Sequence, residues 1–130
     1  MIKNYSINIV PVAQGRPRFT VQGGYAKVYD PPKSAAFKKA LAWELKCQNP
    51  TVLKGALTVT IIFRMPRPKS LPKKVVHHIK KPDVDNLVKG VKDAMNKLCY
   101  NDDSQIVELR AKKIYSTIPG VDITLEQMGG

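Results

Sequence analysis

Asp83-Val84-Asp85-Asn86-Leu87-Val88-Lys89-Gly90-Val91-Lys92-Asp93-Ala94-Met95-Asn96-Lys97-Leu98 is the stretch that decides the fold. Leu87, Val88, Val91, Ala94, Met95 and Leu98 recur at steps of three and four and make one apolar face. Asp85, Lys89, Lys92, Asp93 and Asn96 fall on the other. That period is helical. On both sides the period changes. Gly55 to Met65 contains Leu57-Thr58-Val59-Thr60-Ile61-Ile62-Phe63, a β-branched run that reads as a long strand. From Gln105 to Thr117, Ile106, Val107, Leu109, Ala111 and Ile114 interleave with Glu108, Arg110, Lys112 and Lys113, with a slip near Val107. This is a second strand, and the helix between the two permits a parallel crossover.

Working outward, Tyr5 to Pro11 alternates polar and apolar residues and reads as a strand ended by Pro11. Gly23-Gly24, between two short aromatic and β-branched runs, signals a hairpin or ordered loop. Ser34 to about Gln48 is helical, with Phe37, Leu41 and Leu45 four apart. Ala36, Ala40, Trp43 and Cys47 widen that stripe, so Trp43 is expected in the core. Ser34 is the expected N-cap, and Asn49-Pro50 ends the helix. After Pro119-Gly120 turns the chain, Val121 to Leu125 forms a last strand, expected to run antiparallel beside the one before it. The fold class is therefore α/β (α+β): one mixed sheet with two main helices packed on it, in a single domain over residues 1–130.

The charge narrows the function. The chain of 130 residues holds 22 Lys and Arg against 10 Asp and Glu, a formal net charge of +12, and such a surface attracts polyanions, nucleic acid above all. Hydrophobic residues at 43% and charged ones at 25% are ordinary for a folded domain and exclude disorder over the whole chain. Arg64 to Lys81 carries Pro66, Pro68 and Pro72 with Arg64, Arg67, Lys69, Lys73, Lys74, Lys80 and Lys81, and no acid. It reads as a mobile basic loop that orders on a polyanion. His77 and His78 within it are read as phosphate contacts or solvated side chains. Cys47 and Cys99 form no metal-binding pattern and read as buried thiols in a reducing compartment. No apolar run approaches the roughly 20 residues that span a bilayer, and Met1 to Ser6 has no signal-peptide core. A cytoplasmic protein without membrane or organic cofactor is expected.

The acids are unevenly placed. Asp83, Asp85, Asp93, Asp102 and Asp103 make up half of the total within residues 83–103. Carboxylates beside a basic loop repel phosphates unless a divalent cation lies between them, and magnesium characteristically takes one or two carboxylates, waters and substrate phosphates. Asp83 and Asp85 straddle the entry to a helix, and Lys89 lies one turn after Asp85 on the same face. Asp102-Asp103 sits in the following loop, which must turn back toward the helix start to complete a cluster. Plainer readings stand beside this. Asp85 alone could be an N-cap, Asp85 with Lys89 a surface ion pair, and Asp102-Asp103 the residues of a turn.

Lys81-Pro82-Asp83-Val84-Asp85-Asn86-Leu87-Val88-Lys89-Gly90, then Asp93-Ala94, then Asn101-Asp102-Asp103-Ser104-Gln105-Ile106-Val107, strongly resembles the RusA family of Holliday junction resolvases. Gly15-Arg16-Pro17-Arg18-Phe19 and Tyr29-Asp30-Pro31-Pro32-Lys33 also look like that family's N-terminal segment. The resemblance implies a homodimeric nuclease that uses Mg²⁺, or Mn²⁺ in its place, to nick DNA four-way junctions symmetrically in recombination and repair. It puts the metal-binding aspartates at Asp83, Asp85 and Asp103 and the essential lysine at Lys89, with Asn86 and Asp102 supporting. The basic segment corresponds to a DNA-binding one, longer here and richer in Pro and His than the family pattern. Phosphate contacts are expected from Arg16, Arg18, Lys33, Arg67, Lys69, Lys73, Lys74, Lys80 and Lys81. Two alternatives share the charge: a non-catalytic DNA- or RNA-binding protein on the same fold, and a nuclease for other branched DNA.

Overall fold

The computed structural model describes residues 1–16 and 18–129. Six strands and two helices follow in the order β1 (Ile2–Ile7), β2 (Arg18–Gln22), β3 (Tyr25–Tyr29), α1 (Pro32–Cys47), β4 (Leu57–Pro66), α2 (Val84–Met95), β5 (Ile106–Ser116) and β6 (Gly120–Gln127). β1, β6, β4 and β5 make one mixed sheet in that spatial order, and β2 with β3 makes a separate antiparallel ribbon. β4 and β5 are parallel, as the helix between them permits.

β4 lies at the centre because its side chains alternate strictly. Leu57, Val59, Ile61, Phe63 and Met65 are buried, and the residues between them are only partly covered. Tyr5 and Ile7 of β1 and Val121, Ile123 and Leu125 of β6 add to the same core, which α1 meets with Phe37, Leu41 and Leu45 and α2 with Leu87, Val88, Val91, Ala94 and Met95. Each buried Val, Leu, Ile, Phe or Met contributes roughly 1.5–3 kcal/mol over its exposed state. Phe63, fully buried in the middle strand, is the costliest to truncate, at about 3–5 kcal/mol for Phe63→Ala. The opposite face of the sheet is polar, with Ser6, Arg64 and Asp122 joined across three strands.

Several expectations need correction. β5 and β6 are not neighbours, because β4 lies between them and pairs with both. The chain straddles the end of β4, and Arg64 holds the crossing: its guanidinium donates to Ile118 O at 2.7 Å and Asp122 Oδ2 at 3.1 Å and also reaches Ile7 O and Asn8. Gly120 is required there, since a Cβ would collide with that guanidinium. The basic segment therefore begins only at Arg67, because Arg64 belongs to β4, which runs to Pro66. β1 starts and stops earlier than the alternation from Tyr5 to Pro11 implies. α1 begins at Pro32, and Ser34 is buried with its hydroxyl committed to Gly15 N and Ala13 O, so it is no N-cap. Trp43 is 64% exposed because α1 buries only the narrow Phe37–Leu41–Leu45 stripe. Cys47 is exposed; only Cys99 is a buried thiol. α2 stops at Met95 rather than Leu98, where Lys97 takes a positive φ of 69°.

Candidate functional site

Asp83 occupies the N-cap position of α2 in an extended conformation, and its carboxylate makes no capping bond. Asp85 lies in the first turn, and both side chains are exposed. Among the described residues neither carboxylate is ion-paired. They stand at a helix end whose free N–H groups favour anions. The backbone leading into Asp83 is fixed from β5: Lys113 Nζ donates to Lys80 O and to Pro82 O, both at 2.7 Å.

A second segment closes on the same helix end. Gln14 N donates to Asn86 O at 3.0 Å, and Gly15 N donates to Ser34 Oγ at 2.8 Å. Gly15 has no room for a side chain, since a Cβ would lie 2.7 Å from the Pro31 ring. The result is a polar cleft of about 440 Å³ between Gln14, Gly15, Arg16, Asn86 and Lys89. A neighbouring one of about 470 Å³ lies between Lys81, Pro82, Asp83 and Asn86. Asn86 lines both. Segments far apart in the chain thus bring Arg16, Lys81 and Lys89 around the Asp83 end of α2, a setting fit for a phosphate beside carboxylates. A larger groove of about 730 Å³ lies between α1 and α2, but Ala36, Ala40, Trp43 and Leu98 make it apolar, and it lacks the residues of this chemistry.

The other acidic pair is built differently. Asp102 caps the 3₁₀ turn Asp103–Gln105, accepting from Ser104 N at 3.3 Å, which holds its carboxyl below the usual range. Gln105 completes the turn: its Oε1 accepts from Asn101 N and Asp102 N, and its Nε2 donates to Leu53 O and Gly55 O, each at 3.0 Å. Asp103 is left half-exposed, 3.7 Å from Lys92 Nζ. Lys92 is seven residues past Asp85, about 10 Å along the helix axis. Asp103 therefore stands toward the far end of α2 from Asp83. Among the described residues no three His, Cys, Asp or Glu side chains gather closely enough to hold a metal ion. The expected return of the 102–103 loop does not occur within one chain, because β5 starts at the C-terminal end of α2 and comes back along it to Lys113.

The remaining cations divide. Lys33, Lys69, Lys73, Lys74, Lys80 and Lys81 are exposed. The Arg18 side chain lies outside the described residues. Arg67 turns inward: it donates to Pro72 O and to Val75 O, and its guanidinium lies 5.6 Å over the Tyr115 ring. In doing so it closes the loop on itself. The segment is also tied to the edge of β5 by Tyr115 N to Val76 O at 2.8 Å and His78 N to Lys113 O at 3.2 Å. The backbone of His77 bridges to Ile114 while its side chain stays exposed, and His78 is partly covered, its ring 5.0 Å from that of Tyr115, so of the two only His78 departs from a solvated side chain. Asp93 is engaged as well, with Lys38 at 3.4 Å, and Lys38 also meets Asp30 at 2.5 Å. Lys92, Lys113 and Arg64 are the residues sequence reading missed. Only Lys92 had a signal, its place on the Asp85–Lys89 stripe.

The family model "Endodeoxyribonuclease RusA" matches residues 8–126. The chain belongs to the RusA family. It is 40% identical over 129 residues to an uncharacterized protein, YqaN, of Bacillus subtilis (strain 168), covering 91% of each chain. It is also 45% identical over 49 residues to the protein named crossover junction endodeoxyribonuclease rusA of Lactococcus phage r1t, covering 37% of each. No described helix is long and apolar enough to cross a membrane.

Proposed function

We propose that this chain is an endodeoxyribonuclease that resolves four-way DNA junctions, depends on Mg²⁺ or Mn²⁺, and acts as a homodimer. The observation that carries the reading is the pair of carboxylates, Asp83 and Asp85, without an ion pair among the described residues, at a helix end where Arg16, Lys81 and Lys89 line the adjoining clefts. Two carboxylates with water and phosphate oxygens match the ordinary magnesium donor set. When bound, the ion supplies Lewis-acid polarisation of the scissile phosphate. Lys89 stabilises the negative charge that develops on the phosphoryl and leaving oxygens. Asn86 and Arg16 orient the backbone of the cut strand, and the exposed lysines of 69–81 hold its neighbours. The last contribution falls steeply with salt.

Asp103 enters from a second copy. Asp85, Lys89 and Lys92 share one face of α2, with Asp103 beside the last of them. A two-fold axis across that face sets the Asp103 end of one copy against the Asp83 end of the other and completes both centres at once. The lysines meeting midway repel until a polyanion bridges them, so the arrangement is coupled to DNA.

The test uses labelled four-way, flap and duplex DNA with and without Mg²⁺. The expected result is paired nicking of the four-way substrate with Mg²⁺ alone. No Mg²⁺-dependent cleavage of any substrate overturns the reading, and preferential cleavage of flaps replaces its substrate. Mixing Asp85→Asn chains with Asp103→Asn chains then tests the shared centre. Each variant alone is inactive, and the mixed dimer regains one working centre and nicks one strand. A mixed dimer that forms but stays inactive returns Asp103 to its own chain.

A further inference from the structure

The β2–β3 ribbon has no place in the main sheet, and its described side chains are exposed. Its register pairs Phe19 with Val28 and Val21 with Ala26, which makes one face apolar. Phe19 is 72% exposed, Val21 73% and Val28 61%. Tyr25, Lys27 and Tyr29 take the other face. A two-stranded ribbon alone is marginal in water, and an apolar face left open on it calls for an occupant.

Charge and position identify that occupant. Residues 1–29 contain no Asp or Glu. Arg16, Lys27 and Lys33 surround the ribbon, and the first acid, Asp30, is neutralised by Lys38 at 2.5 Å. With no acid in residues 1–29, the same surface of a second copy offers the ribbon no opposite charge, and a polyanion does. The ribbon rises directly from Arg16, on the rim of the cleft that Lys89 and Asn86 line. Its tip, Gly23 and Gly24 at φ of 58° and 83°, has no side chains and no neighbour within 4 Å of a built Cβ, so it is slender enough to enter a groove or a gap between strands. The apolar surfaces DNA offers are the faces of its bases. A continuous duplex hides them by stacking, and a branch point exposes them.

We propose that this ribbon recognises the open centre of branched DNA, with Phe19, Val21 and Val28 against unstacked base faces and Lys27 against the adjoining phosphates. The inference rests on the nuclease reading and deepens it: the ribbon selects branched over continuous DNA, and the α2 end cuts. Aromatic contact with a free base strengthens binding by about tenfold to a hundredfold.

The test uses the full chain with Ca²⁺ in place of Mg²⁺ to separate binding from cleavage. The probes are a four-way junction carrying 2-aminopurine at the branch and a duplex of the same sequence. Wild type is expected to prefer the junction and to change the 2-aminopurine fluorescence. Phe19→Ser with Val21→Ser should lower the junction-to-duplex affinity ratio at least tenfold, with duplex affinity and light-scattering mass unchanged. Phe19→Trp should keep the ratio. An unchanged ratio in the Ser variant overturns the proposal while leaving the nuclease reading intact. A lowered mass in that variant also overturns it, because the face then belongs to self-association. Wild type without any preference for branched DNA also overturns the proposal, while the nuclease reading falls only to the absence of Mg²⁺-dependent cleavage.

Discussion

Two pairs of aspartates, alike in sequence, have different physical duties. Asp83 and Asp85 stand free at the start of α2, without an ion pair among the described residues and with their backbone held by Lys113. Asp102 is committed to a 3₁₀ cap, and Asp103, beside Lys92, is the one carboxylate that turn presents. Close spacing of acids is thus no measure of shared chemistry. What separates the pairs is whether the protein already uses the oxygen atoms. Free carboxylates crowded by cations invite a metal ion, and a carboxylate capping a turn is already satisfied.

Substitutions sharpen that contrast. Asp85→Asn should reduce Mg²⁺-dependent junction cleavage by a hundredfold or more in a single-turnover assay, with junction binding in Ca²⁺ retained. Its thermal midpoint should stay put or rise, since repulsion between neighbouring carboxylates is relieved. An unchanged cleavage rate would remove the pair from the chemistry. Lys113→Ala should act on both readouts. Losing two charge-assisted bonds to Lys80 O and Pro82 O costs about 1.5–3 kcal/mol in denaturant unfolding, and a loosened Asp83 lowers cleavage roughly tenfold. Asp102→Ala should behave in the opposite sense to Asp85→Asn, lowering stability through loss of the cap with a smaller loss of cleavage. If it proved as inactive as Asp85→Asn, the assigned division of labour between the pairs would be reversed.

The smallest effect is a pH dependence. Burial and the nearby charges of Lys113 and Lys80 hold His78 below its ordinary 6.5. The folded state therefore prefers the neutral ring. Its contribution is fully present above about pH 6.5 and is lost as the pH falls through the lower folded value. Hydrogen-exchange protection at the His78 and Tyr115 amides, relative to the intrinsic rate at each pH, should fall between pH 7 and pH 5 more than protection in β4. His78→Phe should flatten that difference.

The legible parts of this molecule are those set by local period. α2 announces itself through Leu87, Val91, Ala94 and Met95, and β4 through its alternation, because each element buries one face against the same core. The spacing of Asp85 and Lys89 follows from one helical turn. The position of Asp103 depends instead on which end of α2 the next strand begins at, and no residue near it encodes that. The Lys113 clamp is equally silent in sequence, because its acceptors are main-chain carbonyls that carry no side-chain signature. Trp43 misleads for a related reason: an aromatic residue in an apolar stripe is core only if a neighbour covers it, and α1 rests on the narrower stripe of Phe37, Leu41 and Leu45.

β5 has Asp103 just before its first residue and Lys113, which anchors the approach to Asp83, near its last. Between Ile106 and Lys113 the extended chain advances about 23 Å. A pleated strand cannot be stretched or shortened without breaking its ladder to β4, so it acts as a strut of set length. In the proposed dimer that strut would set the distance between the two centres, and with it the spacing of the two nicks. Changes in the basic segment can then retune affinity without altering the geometry of the incision.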